Sequence, residues 1–167
     1  MALKYSVEKN VQMIISLLKA HNIKRVIASP GSTNVCLVTS FQNDPYFEVY
    51  SSVDERSSAY MACGMAVETG EPVVLTCTEA TASRNYLPAL TEAFYRKIPI
   101  LAITATDEIT LLGQNHPQMI NRSSLPKDAV VKSLFLPIIY SPVKEQGYVN
   151  LINDALLSLR RAGGGPV

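Results

Sequence analysis

Asp54-Glu55-Arg56 carries the sharpest chemical signal in the sequence: a carboxylate at the start of a helix whose next turns are lined by small residues. Ala59, Ala62, Cys63 and Ala66 fall at the i, i+3, i+4 and i+7 spacing of one helical face, and Glu55 lies on the same stripe, one turn before Ala59. That spacing aims the carboxylate inward. Small side chains admit a neighbouring backbone or a ligand, and a carboxylate withdrawn from water holds its proton more readily, which suits proton chemistry on a bound cofactor. The triplet also reads as an ordinary helix start, with Asp54 as N-cap and Glu55 near the positive end of the helix dipole.

Three further polar segments could contribute to a site: Ser29-Pro30-Gly31-Ser32, the run from Thr76 to Ala82, and Gly113-Gln114-Asn115-His116-Pro117-Gln118. The elements that must position them are legible from periodicity. Val11, Ile14, Ile15 and Leu18 form a helical stripe, and residues 25–29 read as a short buried strand. A helix at 33–41, a strand at 46–51 and the helix carrying Glu55 to about Gly70 follow. Residues 72–77 are a continuous apolar strand of the kind covered on both faces, and a helix at 83–96 leads to a strand at 99–104. Residues 105–126 are long, polar and without period, which is uncommon unless the loop works. Beyond them a short helix near Asp128, a strand at 137–140 and a final helix with the stripe Ile152, Ala155, Leu156 and Leu159 are expected.

Alternating strands and helices predict an α/β fold, a doubly wound, mainly parallel sheet with helices on both faces. All four candidate segments then fall just after strand C-termini, the edge where such sheets bind ligands.

The 167 residues suit one domain, and a charged fraction of 17% beside 47% hydrophobic residues suggests that some surface is covered by a partner. A net charge of +1 without a basic run argues against nucleic-acid binding. Cys36, Cys63 and Cys77 show no metal or redox spacing and read as reduced core thiols. The first ten residues lack a signal-like apolar stretch and no window approaches a membrane span, so a cytoplasmic protein is expected. Neither a dinucleotide glycine fingerprint nor a phosphate loop occurs, and His21 and His116 are too far apart in sequence to suggest a metal site. A hydrolase triad of Ser32, His116 and Asp107 is disfavoured because Ser32 is not in a nucleophile elbow.

Taken together, Ser29-Pro30-Gly31-Ser32, Asp54-Glu55-Arg56 with Ala59 and Gly64, Asn85-Tyr86-Leu87-Pro88-Ala89-Leu90 and Pro99-Ile100-Leu101 resemble the N-terminal pyrimidine-binding (Pyr) module of thiamine-diphosphate-dependent enzymes. The nearest likeness is to the synthase group of menaquinone biosynthesis, and it covers nearly the whole chain. The resemblance implies thiamine diphosphate with Mg2+ as cofactor and Glu55 as the catalytic residue. Glu55 would hydrogen-bond the pyrimidine N1′ and favour the imino tautomer, which helps remove the thiazolium proton. Pro30, Gly31, Ser32, Thr78, Glu79 and Asn85 are implied around the cofactor, and Ser32, Asn115, His116 and Gln118 toward a 2-oxoacid substrate.

In that family the diphosphate and Mg2+ are held by a different domain with a Gly-Asp-Gly…Asn-like motif, and no such segment occurs in this sequence. Sites there form between subunits, which implies a homodimer, with Ala59, Ala62 and Ala66 as a contact face, and a chain inactive in isolation. The closing Gly163-Gly164-Gly165-Pro166-Val167 reads as the entrance to another strand, so residues 1–167 are expected to be a Pyr domain cut from, or split off, a larger decarboxylase or carboligase. The alternatives are a stand-alone subunit of a split sulfopyruvate- or phosphonopyruvate-type decarboxylase, or a non-catalytic regulatory module.

Three departures stand beside the resemblance. Thr33 replaces an arginine after Pro-Gly-Ser, and Asp107-Glu108 replaces an Asp-Arg-Pro run, so a dianionic substrate would meet Glu108 instead of a guanidinium. Glu79 stands in a stretch where many members carry Ser-Gly, and Glu79 in a glycine conformation would be costly.

Overall fold

The computed structural model describes residues 5–167; residues 1–4, part of the segment expected to carry no signal-like stretch, lie outside it. In chain order the elements are α1 (Lys9–Ala20), β1 (Arg25–Ala28), α2 (Val35–Asn43), β2 (Glu48–Ser51), α3 (Glu55–Thr69) and β3 (Val73–Cys77). They continue with α4 (Thr81–Arg84), α5 (Leu87–Arg96), β4 (Ile100–Thr104) and α6 (Pro142–Ser158). The four strands pair in the order β2-β1-β3-β4, all parallel. The expected doubly wound sheet is therefore present.

Alternation along the strands splits the core in two. Val26, Val74 and Leu101 face a cluster built with Val11, Ile15 and Leu18 of α1, Phe41 of α2, and Ile152, Ala155 and Leu156 of α6. Ile27, Val73, Leu75 and Ile100 face the other way, onto Ala59, Ala62, Cys63 and Ala66 of α3 and Ala89, Leu90 and Ala93 of α5. A strand covered on both faces needs apolar residues at successive positions, and all five residues of β3 are buried. The alanine stripe of α3 lets that helix lie close on the sheet. It is consumed by this packing, with Ala59 and Ala62 fully buried, so the expectation that Ala59, Ala62 and Ala66 contact a second subunit does not hold.

Local chemistry sets the ends. Asp54 caps α3 by accepting a hydrogen bond from the Ser57 amide at 2.8 Å, and Gly70 closes the helix in the left-handed conformation that glycine adopts without steric cost. The helix expected at 83–96 is broken into α4 and α5, with Asn85 and Tyr86 between them. Pro88 explains the break, because inside a continuous helix its ring would crowd the carbonyl of Arg84 and supply no amide. It sits instead in the first turn of α5.

Two other expectations fail beyond β4. Residues near Asp128 form only a turn, in which the Ala129 amide bonds the Pro126 carbonyl, and residues 137–140 are irregular. The free edge of β4 is already taken. Val167 donates to the Ile100 carbonyl and accepts from the Ala102 amide, both at 2.8 Å, a parallel-ladder pattern opposite Leu101. Ile139 is buried among side chains of the α1 and α6 cluster without strand pairing.

Candidate active site at the switch point of the sheet

From β1 the chain passes outward to β2, then returns to the other side of β1 as β3. The loops after β1 and β3 therefore flank the point where strand order reverses, the position at which open parallel sheets bind ligands. These loops lie close together. A Cβ added to Gly31 would sit 2.7 Å from the Thr78 Cβ, so only glycine fits, and the hydroxyls of Thr33 and Thr78 meet at 2.5 Å. Asn34, buried to 1% exposure, accepts from the Gly31 amide at 2.8 Å and donates to the Ser29 carbonyl at 3.2 Å. Its side chain thus folds the Ser29–Gly31 turn from within. Pro30 and Ser32 are exposed at the rim.

Glu55 is the first residue of α3, where its charge is favoured by the helix dipole. It is half-buried rather than sealed, and its Oε2 accepts one long hydrogen bond, 3.5 Å, from Asn85 Nδ2. The start of α3 is tied to the end of β1 by a buried hydroxyl pair, Ser29 Oγ to Ser58 Oγ at 2.8 Å, and Ser58 also donates to the Asp54 carbonyl. Beside Asn85, the Tyr86 hydroxyl is fully buried and has no hydrogen-bond partner among the described residues. Burial, followed by the nearby Cys77 thiol, pushes its ionisation upward, so it stays a neutral donor. Burial likewise pushes Cys77 up to about 11, and its thiol stays protonated at neutral pH.

The third group of candidates assembles around Glu79. This carboxylate is 2% exposed and accepts from the Thr106 hydroxyl at 2.8 Å and the Asp107 amide at 3.2 Å, with Arg122 Nη2 4.0 Å away. The positive φ in this turn falls on Ala80 (φ 59°, ψ −133°) rather than on Glu79, so the conformational cost expected at Glu79 belongs to its neighbour. His116 Nε2 meets Asp107 Oδ2 at 3.0 Å, while Asn115 and Gln118 are exposed and both have positive φ. Burial lowers the proton affinity of the Arg122 guanidinium, an effect opposed by Glu79 beside it.

The structure thus joins Glu55 to Asn85, Gly31 to Thr78, and His116 through Asp107 to Glu79. It leaves Ser32, Asn115 and Gln118 facing outward. Asn34, Ser58, Thr106 and Arg122 were missed by sequence reasoning. Asn34 could have been noticed as an amide three residues after a Pro-Gly turn, a place where its side chain can reach back to the turn; nothing local marks Arg122.

A parallel α/β sheet with an acid at a helix start beside its switch point defines a small-molecule or cofactor-binding domain of the doubly wound class. The chain belongs to the family described as "Thiamine pyrophosphate enzyme, N-terminal TPP binding domain", which it matches over residues 9–125. It is 37% identical to the 2-succinyl-5-enolpyruvyl-6-hydroxy-3-cyclohexene-1-carboxylate synthase of Bacteroides thetaiotaomicron over 98% of its own length and 29% of that protein. The synthase of the same description from Porphyromonas gingivalis is 36% identical, with 98% and 28% covered. The chain therefore spans under a third of the length of these relatives. Among solved structures, a thiamine diphosphate-dependent 4-hydroxybenzoylformate decarboxylase of Rhodococcus jostii superposes with a TM-score of 0.79 at 23% identity, covering 95% of this chain and 29% of that one. The fold is shared with that enzyme. No helix among the described residues is long and apolar enough to cross a membrane.

Proposed function

We propose that this chain is the pyrimidine-binding part of a thiamine-diphosphate-dependent 2-oxoacid decarboxylase or carboligase, in which Glu55 activates the cofactor. The observation that carries the reading is the placement of Glu55: first residue of α3, half-buried, at the strand C-termini, with a single long hydrogen bond from Asn85. Its remaining lone pairs are available to a ring nitrogen. The Gly31–Thr78 contact makes a narrow wall at the same edge, and the unpartnered Tyr86 hydroxyl nearby is a buried donor of the kind a bound polar ring could satisfy. These features fit a flat heterocycle.

When bound, thiamine diphosphate supplies an acidic thiazolium carbon that adds to 2-oxoacids and takes up the electrons released with carbon dioxide. Glu55 shares a proton with the pyrimidine nitrogen, and Asn85 orients the carboxylate for that exchange. Pro30, Gly31, Ser32 and Thr78 flank the ring. Exposed Asn115 and Gln118 and half-buried His116 approach the substrate. Exposed Asp107 and Glu108 near them disfavour a second carboxylate there, so a 2-oxoacid with one carboxylate is the preferred donor.

The diphosphate and Mg2+ belong to another domain or subunit, and a second copy of the chain completes the assembly. Replacing Glu55 by Gln in the assembled enzyme is expected to slow exchange of the thiazolium proton by at least about a hundredfold, the scale of a lost general acid or base, with circular dichroism unchanged. Exchange at the wild-type rate in that variant would remove Glu55 from catalysis.

A further inference from the structure

Glu79 takes no part in the Glu55–Asn85 contact, yet it is the most thoroughly buried carboxylate at this edge. Such burial is costly unless hydrogen bonds or an opposite charge compensate for the lost water; the hydrogen-bond donors lie at one end of a loop and the compensating guanidinium at the other. Thr106 and Asp107 stand at its entry and Arg122 at its exit; Arg122 Nη2 also donates to the Ala105 carbonyl at 3.5 Å. Arg84 of α4 adds a second tie at the exit through the Asn121 carbonyl at 2.9 Å. The neck of residues 105–122 is therefore gathered onto the turn between β3 and α4. That turn carries a signature of its own: Ala80, a residue with a Cβ, is held in a conformation ordinarily left to glycine, and such conformations persist where surrounding contacts over-determine them.

We propose that Glu79 is a positioning residue that clamps the neck of the 105–122 loop, fixing Asp107 and through it the His116 ring. The loop's contact with substrate rests on the proposed function above; the clamp does not need the cofactor. Glu79 reaches the Asp107 backbone, Asp107 reaches His116 Nε2, and the ring is thereby fixed two links away from a buried carboxylate. Closing a loop at its neck leaves its tip free to adapt while its base keeps one geometry.

Hydrogen–deuterium exchange on the full chain tests this. In Glu79→Ala, peptides covering 105–122 are expected to exchange about tenfold faster, while those covering β3 and α3 keep their protection. Glu79→Gln retains an acceptor for Thr106 and Asp107 and restores most of the protection. Thr106→Val removes the hydroxyl donor at an exposed position; it produces the same local change in smaller measure, shifts the His116 imidazole resonances, and decides the matter should Glu79→Ala fail to fold. Wild-type loop exchange in Thr106→Val, or acceleration spread evenly over every element, overturns the clamp. Absence of thiazolium exchange in the wild-type assembly would instead count against the proposed function and leave the clamp measurement intact.

Discussion

Ala80 shows at the scale of one residue how backbone conformation and side-chain placement are coupled. Its φ of 59° with ψ of −133° costs about 1–3 kcal/mol for a residue with a Cβ, and it aims the preceding carboxylate into the protein. Ala80→Gly is expected to raise stability by roughly 1 kcal/mol, seen as a higher midpoint in thermal melts, because glycine enters this region without steric cost. A lower midpoint would mean that the conformation is not strained. The same residue explains a misreading. A Glu-Ala pair signals helix or strand as readily as a turn, so the sequence offered no means of assigning the positive φ to Ala80 rather than Glu79. Glu55 was legible because its signal is periodic: the stripe Ala59, Ala62, Cys63 and Ala66 is buried as the spacing requires. Arg122 was not, since its partners lie 17 and 43 positions away in the chain.

Among elements, the turns after β1 and β3 behave as one unit. Gly31→Ala would drive a methyl to 2.7 Å from Thr78 Cβ, and overpacking of this kind costs about 1–3 kcal/mol. The loss should persist in a Thr78→Ala background, because the offending Cβ remains; full relief there, measured by denaturant unfolding, would refute the contact. All four strands and the helices α1, α3 and α6 were readable, because the apolar runs of β1, β3 and β4 and the 3.6-residue stripes of those helices report burial directly. The split between α4 and α5 was also written in the sequence, at Pro88, though the helical stripe on either side concealed it. Residues 137–140 misled for another reason. Pro-Ile-Ile-Tyr has strand composition, but a strand needs a free edge, and whether one remains is decided elsewhere in the chain.

For the whole molecule, stability is distributed over two cores, and the first is pinned at its margin by Asp44. This carboxylate is buried, which opposes its charge, but hydrogen bonds from Lys19 at 2.8 Å and Tyr5 at 2.6 Å outweigh burial and hold its ionisation below the usual aspartate range. Since the folded value lies below the unfolded one of about 3.9, the stabilisation is complete above that pH and is lost as pH falls through the folded value. Thermal midpoints should therefore drop more gently below about pH 4 in Asp44→Asn than in the wild type, and parallel profiles would remove Asp44 from the acid response. The pairing of Val167 with Ile100 and Ala102 has a different kind of consequence. Opposite Leu101, Val167 takes up backbone groups on the outer flank of β4 that a foreign strand could otherwise pair with. What reads in one dimension as a glycine run before Pro-Val thus works in three as a selvedge stitch along that stretch of the sheet.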